Sequence, residues 1–320
     1  MKFNMALLSV FLITSCSSAT KFNVTNNDES NTHKTTLAKK SWIHGAENCE
    51  TDKEPVFDVY QHDAQTFILR QNKCLTFEAP FIYVLVGLDK ILVLDTGALS
   101  DESDFSLYDE LEKILGKDEL ARKKMLVMHT HSHSDHYQGD VYFKQKTNVE
   151  LVETTAKGLK DFYQFTDWPK EQTIIELGKR QITVIPTPGH QEEAISIYDP
   201  QTKWLMTGDT LYPGYIYVKH WKDYQQSIDR LTKFTAHHEV KAIMGAHIEK
   251  GAPLNVYFPI GSTYQPNETK LDLDVQSLHY LNTTIQNMEE PREVIFNDFT
   301  IIPMNGIQKT LSNTVRWFKQ

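Results

Sequence analysis

The sequence predicts an α/β protein in which two β-sheets are sandwiched between outer helices. Short runs rich in aromatic and β-branched residues, broken by polar or glycine turns, indicate strands. Segments with apolar residues at helical spacing lie between these runs and indicate helices. Strands and helices mix in both halves of the body, and no linker divides it, so we expect mixed sheets covered by helices.

In the first half, a helix is predicted over residues 104–116, where apolar residues recur at roughly helical spacing and Gly116 provides a stop signal. The short apolar run at 125–128 indicates a buried strand that ends just before a group of histidines. The predicted strands of this half are 57–60, 66–70, 81–87, 91–95 and 125–128.

The second half continues with strands of the same kind and two further helices. The helices are predicted at 224–235 and 273–288. The predicted strands are 149–152, 174–177, 182–185, 194–198, 204–207, 242–245 and 294–302.

The first 15 residues have the pattern of a signal peptide, with Lys2, an apolar run over 6–13 and small residues after it. Residues 13–16, Ile-Thr-Ser-Cys, resemble the lipobox of bacterial lipoproteins, in which the cysteine becomes the lipidated N-terminus. This predicts an exported lipoprotein, anchored to a bacterial membrane through Cys16 and facing the periplasm or the cell surface. The alternative is an ordinary secretory peptide cleaved near Ala19.

Residues 16–52 are rich in polar residues with few apolar anchors, which predicts a flexible tether before a hydrolase domain at 53–320. In an oxidising compartment, Cys49 and Cys74 could form a disulfide that ties this extension to the body. The alternative is two free thiols, because the sequence does not give the distance between them.

The composition argues against a nucleic-acid partner and for a small-molecule substrate. The chain has 320 residues, of which 40% are hydrophobic and 23% charged, and a formal net charge of -9. Phosphate binding needs clustered Lys and Arg, and the sequence has no such cluster.

Four potential metal ligands lie within six residues directly after the predicted strand 125–128. His131 and His133 are two residues apart, so in an extended segment they point the same way and can hold one ion. Asp135 and His136 follow where the chain must turn, and can face a second ion. Imidazole and carboxylate together suit zinc, with iron or manganese also possible.

Three further candidate ligands each follow a short apolar strand, with a glycine one or two residues before each of them. His190 ends Pro-Gly-His, Asp209 lies in Gly-Asp-Thr, and His247 ends Gly-Ala-His. Strand ends are where a scaffold presents functional groups. We therefore expect these side chains to meet the histidine-rich segment. His129 falls outside that ligand frame and is expected at the strand end or behind the site.

The ordered set of motifs resembles the metallo-β-lactamase-fold hydrolases, in particular the hydroxyacylglutathione hydrolase and lactonase-like branch. The resemblance implies a four-layer αβ/βα sandwich with two divalent metal ions, zinc first among them, at one edge. It implies that His131, His133 and His190 hold one ion, that Asp135, His136 and His247 hold the other, and that Asp209 bridges them. The early Asp95-Thr-Gly resembles the family's supporting aspartate.

The resemblance also implies the chemistry. A hydroxide shared by two cations would attack a carbonyl carbon while one cation polarises its oxygen. Asp135 would orient the nucleophile or carry a proton, and the phenol of Tyr212 would donate to the oxyanion, unless Tyr212 is a packed aromatic. Six aromatic residues could line an amphipathic pocket, unless they are simply core residues: Tyr215, Tyr217, Tyr257, Tyr264, Trp168 and Trp221.

We expect cleavage of an ester, thioester or lactone. Asp209 disfavours a β-lactam hydrolase, whose members typically have Ser or Cys at that point. A mononuclear iron enzyme like the persulfide dioxygenases, and a binding lipoprotein without turnover, remain as alternatives.

Overall fold

A computed structural model describes residues 36–100, 105–254, 256–310 and 312. The predicted signal peptide, the lipobox and the first part of the predicted tether lie outside the described residues. Within the described part of the chain, no helix is both long and apolar enough to cross a membrane.

Two six-stranded mixed sheets form the centre of the fold. The first has the strand order β1-β2-β3-β4-β5-β6, and its last two pairings are parallel. Its strands are β1 Phe57–Asp63, β2 Thr66–Gln71, β3 Phe81–Val86, β4 Lys90–Leu94, β5 Lys124–Met128 and β6 Val149–Leu151.

The second sheet consists of β7 Thr173–Glu176, β8 Gln181–Pro186, β9 Ile195–Asp199, β10 Trp204–Gly208, β12 Ala242–Gly245 and β13 Asp272–Leu273. Their order is β13-β12-β10-β9-β8-β7, and β10 and β12 pair in parallel. A small third sheet is formed by β11 Tyr215–Val218, β14 Val294–Ile295 and β15 Thr300–Pro303.

Six α-helices and three short 3-10 helices connect the strands of the described chain. The α-helices are α1 Leu107–Leu115, α2 Lys117–Arg122, α3 Ser134–Tyr137, α4 Ala156–Tyr163, α5 Trp221–Thr235 and α6 Val275–Gln286. The 3-10 helices are Leu37–Lys39, Cys49–Thr51 and Gln138–Tyr142. Residues 306–310 and 312 are also helical.

Three apolar clusters show that the fold has four layers, as predicted. One cluster fills the space between the two large sheets, with Tyr83 from the first and Met206 from the second. The outer face of the first sheet packs on α1 through Leu111. The outer face of the second sheet packs on α5 and α6 through Leu231 and Leu278. Each sheet therefore buries both faces, which explains its nearly continuous apolar strands.

Several predicted elements differ from the structure in extent. The predicted helix 104–116 corresponds to α1, which ends just before the predicted stop at Gly116, and this glycine, with φ +88, separates α1 from α2. The predicted strand 294–302 becomes β14 and β15, which pair with each other across a turn. Helices α2, α3 and α4 and strands β11 and β13 were not predicted. Each has at most 8 residues, so they give little periodic signal.

The prediction of a flexible tether as far as residue 52 is wrong for residues 36–52. Trp42 is buried at 5% exposure in the cluster between the sheets, and its ring contacts Phe81 at 4.9 Å between centroids. Lys40 donates to Asp58 at 2.6 Å. Cys49 and Cys74 form a disulfide, which confirms the pairing as one of the two expected states. Only a few apolar residues anchor this segment, so its overall polar composition did not indicate that it is folded.

Candidate metal centre

The histidine-rich segment begins where β5 ends, at the edge of the first sheet. His131 lies in a bend after Met128, and His133, whose backbone is extended, is the residue before α3. The short helix α3 then turns Asp135 and His136 toward the same edge. A bend followed by a helical turn thus presents four side chains within a span of six residues.

Four of the predicted ligands form one group. The ligand atoms of His131, His133, His190 and Asp209 all lie within 4.8 Å of one another. Nδ1 of His133 lies 2.9 Å from Nε2 of His131 and 3.0 Å from Nε2 of His190. Oδ2 of Asp209 lies 3.5 Å from Nε2 of His190. Side chains from three separate strand ends therefore converge, as the sequence predicted.

The other three predicted ligands form a second group beside the first. Asp135, His136 and His247 also have ligand atoms within 4.8 Å of one another. Nε2 of His247 lies 3.3 Å from Oδ2 of Asp135 and 3.4 Å from Oδ1 of Asp209. Nε2 of His136 lies 3.6 Å from Oδ2 of Asp209. The carboxylate of Asp209 thus stands between the two groups.

The outer ring nitrogens of three histidines are held by fixed acceptors. Nδ1 of His190 donates to the carbonyl of Tyr217 at 2.7 Å, and Nδ1 of His247 donates to the carbonyl of Glu78 at 3.0 Å. A carbonyl only accepts, so the proton of each neutral ring is on Nδ1 and the lone pair on Nε2 faces the cluster. Nδ1 of His136 bonds to the carboxylate of Asp95 at 2.8 Å.

Asp95 supports the cluster from behind. It follows β4 with φ +66, a left-handed conformation that Asp and Asn tolerate better than most residues. Its carboxylate also accepts from the backbone N–H of Thr130 at 2.7 Å and from the Thr130 hydroxyl at 2.9 Å. Asp95 therefore fixes both His136 and the start of the histidine-rich segment, without joining either ligand group.

Burial controls the charge of the first histidine group. It lowers the pKa of His131 and His190 below the ordinary value and that of His133 to about 3. These three imidazoles are therefore neutral at pH 7, with lone pairs free for a ligand.

In the second group burial also opposes positive charge, but carboxylates outweigh it. Asp135 and Asp95 raise the pKa of His136 well above its ordinary value, and Asp209 and Asp135 raise that of His247 to about 9. Burial would raise the pKa of Asp209, yet His247 and its neighbours hold it well below the usual range. The carboxylates are thus charged and favour a cation between them.

The donor set fits a pair of divalent metal ions. Two buried atoms at the centre, Nε2 of His136 and Oδ1 of Asp209, have no aligned hydrogen-bond partner. Buried polar groups normally have partners, so these two indicate that a ligand belongs there. Imidazole nitrogen and carboxylate oxygen together suit zinc and other first-row metals.

The remaining predicted residues lie around the cluster. His129 bonds through Nε2 to Asp140 at 2.9 Å and takes no part in either group, as expected. Tyr212 lines the cavity in front of the cluster, and its hydroxyl donates toward the Tyr215 carbonyl and Glu249. The single phenolic proton therefore already has two acceptors.

The cavity in front of the ligand groups has a volume of about 260 Å³. Of the six aromatic residues predicted for the pocket, only Tyr217 lines it, whereas Tyr215 stacks on Tyr257 at 4.5 Å between ring centroids. The full lining is Glu78, Ser132, His133, Ser134, Asp135, Tyr137, His190, Asp209, Tyr212, Tyr217, His247, Glu249, Ile260 and Met304.

Sequence reasoning missed four residues that shape this site. Glu78 and Glu249 line the cavity, and burial raises the pKa of Glu78 to about 7. The amide of Gln191 lies 2.5 Å from Nε2 of His133, and Glu193 accepts from the backbone N–H of Ser132 at 3.0 Å. Gln191 and Glu193 directly follow His190, and Glu249 follows His247 by two residues, so proximity to a ligand was the available signal. Glu78 had none.

The chain is similar to a known protein family and to several individual proteins. The family profile described as the Metallo-beta-lactamase superfamily matches residues 75–247. The human acyl-coenzyme A thioesterase MBLAC2 is 24% identical over 201 residues, which cover 52% of this chain and 72% of that protein. The cytoplasmic hydroxyacylglutathione hydrolase of Saccharomyces cerevisiae is 36% identical over 94 residues, 27% of this chain and 34% of that protein. A solved metallo-beta-lactamase from Pontibacter korlensis covers 72% of this chain and 100% of its own, with 18% identity and a TM-score of 0.46.

Proposed function

Because the chain belongs to the metallo-beta-lactamase superfamily, we propose that it is a hydrolase with two divalent metal ions, zinc in the native protein, that cleaves an ester, thioester or lactone. One observation carries the proposal: ligand-type side chains from separate strand ends converge into two adjacent groups, each with its ligand atoms within 4.8 Å. The relatives named as a thioesterase and as a hydroxyacylglutathione hydrolase support this class of bond.

In this proposal His131, His133 and His190 hold one ion, while Asp135, His136 and His247 hold the other. Asp209 lies between the groups and contacts both. When bound, the ions would supply Lewis acidity, which lowers the pKa of water and polarises a carbonyl group.

The chain's own residues orient and move protons around the reacting carbonyl. Asp135 lies at the cavity wall beside His136 and His247, where a free carboxylate oxygen can accept a proton and pass it to the leaving group. Tyr212 serves as the oxyanion donor in this proposal, and its phenolic proton would shift from the Tyr215 carbonyl to the substrate oxygen.

The first test combines metal analysis with turnover. Protein purified without chelators is expected to contain two zinc ions per chain and to hydrolyse members of a panel of neutral esters, thioesters and lactones. One iron per chain would point instead to a mononuclear iron enzyme. If the protein contains two metal ions but hydrolyses no member of the panel, the result would favour the alternative of a binding lipoprotein without turnover.

Asp135→Asn tests the proposed proton carrier, because it removes the charge and keeps the shape. We expect kcat to fall by about 10²- to 10⁴-fold, the range of general acid–base catalysis. Asp161→Asn is the matched control, since Asp161 is exposed on α4. Metal content is measured in both variants, and unchanged kcat in metal-loaded Asp135→Asn would remove Asp135 from the mechanism.

We also propose that the protein is exported and anchored through a lipid on Cys16, with residues 1–15 as the signal peptide. The disulfide supports export, because disulfides persist in oxidising compartments. In a bacterial host fed a clickable fatty acid, the full chain is expected to acquire the label in the membrane fraction. Cys16→Ser is expected to lose it, and equal labelling of the variant would contradict the anchor.

A further inference from the structure

The cavity in front of the ligand groups has an unusual balance of charge. Four carboxyl groups line it, from Glu78, Asp135, Asp209 and Glu249. Among the residues that the structure describes, no lysine or arginine lines it. Two of the carboxyl groups belong to the metal ligand set, so Glu78 and Glu249 remain to meet the substrate.

These two glutamates differ in how they are engaged. Both glutamates are partly buried. The carboxylate of Glu249 accepts from the Tyr212 hydroxyl at 3.1 Å and from the backbone N–H of Tyr215 at 2.9 Å. Within the described chain, the carboxylate of Glu78 accepts no hydrogen bond. Its backbone carbonyl holds His247, so the position of Glu78 beside the second ligand group is fixed.

Apart from His247, which belongs to the second ligand group, the groups around Glu78 do not supply a cation at the cavity surface. Its charge interacts with those of Asp135, His247, Asp209 and Glu249. The nearby Lys73 is 2% exposed, and its ammonium group donates to the carbonyl of Phe77 at 2.6 Å. Lys73 is therefore turned away from the cavity, which it does not line.

On the basis of the proposed function, we propose that Glu78 determines specificity by binding a cationic group of the substrate. The enzyme then takes esters or lactones that carry a positive charge near the carbonyl. A cation beside a partly buried carboxylate favours its charged form, so each stabilises the other. An anionic group placed beside Glu78 would meet like charge. Coenzyme A and glutathione are both anionic carriers. A pocket that binds their thioesters would need cationic side chains, whereas Glu78 and Glu249 are acidic.

The test uses three esters with the same acyl group and alcohol parts of similar size. One alcohol ends in trimethylammonium, one in its neutral tert-butyl isostere, and one in carboxylate. For the metal-loaded enzyme we expect kcat/KM to favour the cationic over the neutral ester by about threefold to fivefold, the upper part of the range for solvent-exposed ion pairs. The carboxylate ester is expected to be the poorest of the three.

Glu78→Gln is the variant, and Glu239→Gln, an exposed carboxylate outside the cavity, is the matched control. The cationic-to-neutral ratio is expected to fall to about one in Glu78→Gln and to stay at about three to five in Glu239→Gln. An unchanged ratio in Glu78→Gln would overturn the proposal, as would preference for the carboxylate ester. Loss of a metal ion from Glu78→Gln would also overturn it, since Glu78 would then be a metal ligand.

Binding of the three corresponding amides, measured by calorimetry, separates this inference from the proposed function. If no ester is hydrolysed, the proposed function fails, and the order of the amide dissociation constants still decides the charge preference. If esters are hydrolysed but neutral and cationic amides bind equally, only the role of Glu78 fails.

Discussion

The orientation of single histidine rings depends on acceptors from distant parts of the chain. The carbonyl of Tyr217 on β11 fixes His190, and the carbonyl of Glu78, before β3, fixes His247. Each backbone acceptor selects one tautomer and aims one lone pair at the cluster. Backbone carbonyls have no side-chain signature, so the sequence predicted the ligands but not what orients them.

Asp95→Asn tests the support behind the cluster. Asn tolerates the left-handed backbone at this position, but it replaces the charged acceptor of His136 and Thr130 with a neutral amide. We expect metal affinity to fall by about 10- to 100-fold, as for other residues that support metal ligands. Competition with a chromogenic chelator measures this loss.

Asp58→Asn is the matched control for that substitution, because Asp58 is equally a buried carboxylate but binds Lys40 and the backbone N–H of Ile43. Its metal affinity should equal that of the unmodified protein. A dissociation constant for Asp95→Asn within threefold of the unmodified one would show that Asp95 does not act through His136.

Tyr212→Phe tests the proposed oxyanion donor. Burial and Glu249 raise the pKa of Tyr212 well above its ordinary value, so the phenol keeps its proton at neutral pH. We expect kcat to fall by about 10²-fold, with KM and metal content little changed, because the hydroxyl would act in the transition state. A loss of less than threefold would restrict Tyr212 to packing and to its bonds with Tyr215 and Glu249.

Whole elements were predictable where a strand ends in a distinctive residue. The ends of β5, β10 and β12 were located within a residue, because apolar runs stop at His, Gly-Asp or Gly. Strand β11 was missed because its 4 residues directly follow a Pro-Gly turn and pair with β15 near the far end of the chain. Pairing over such a sequence distance leaves no local pattern.

Removing the disulfide tests how far the segment before β1 is held by one covalent link. The Cys49–Cys74 pair closes a loop with a sequence separation of 25. The chain-entropy estimate for such a loop gives a loss of about 3 kcal/mol of unfolding free energy in the double variant Cys49→Ser, Cys74→Ser. Denaturant unfolding with and without reductant measures it. Reductant should shift only the unmodified protein, and a shift in the double variant would assign the effect elsewhere.

For the molecule as a whole, the sequence predicted the layers and the edge at which the ligand groups meet, because alternating strands and helices allow few arrangements. The start of the folded body was not predictable in the same way. Trp42 is a single large apolar residue in a polar segment, yet it enters the cluster between the sheets. The large apolar surface of one buried tryptophan is enough to hold a polar segment against the core. The average composition of the segment does not show this residue.

The boundary of the folded body can be tested with two truncated forms, refolded under oxidising conditions. A form lacking residues 1–35 keeps Trp42 and the disulfide, so we expect it to unfold at the same denaturant concentration as the full chain. A form lacking residues 1–52 exposes the sites where Trp42 contacts Phe81 and Tyr60. Its unfolding free energy should be lower by at least about 3–5 kcal/mol, the cost of removing a buried aromatic side chain.

Trp42→Ala in the form lacking residues 1–35 separates packing from the disulfide, because Cys49 and Cys74 remain paired there. We expect this variant to lose about 3–5 kcal/mol by itself. Equal unfolding midpoints for the two truncated forms would instead place the boundary near residue 53 and make the contacts of residues 36–52 incidental to stability. Since Trp42 packs directly against β3, whose Tyr83 hydroxyl donates to the carbonyl of Gly245, its loss should also weaken metal binding at the adjacent His247.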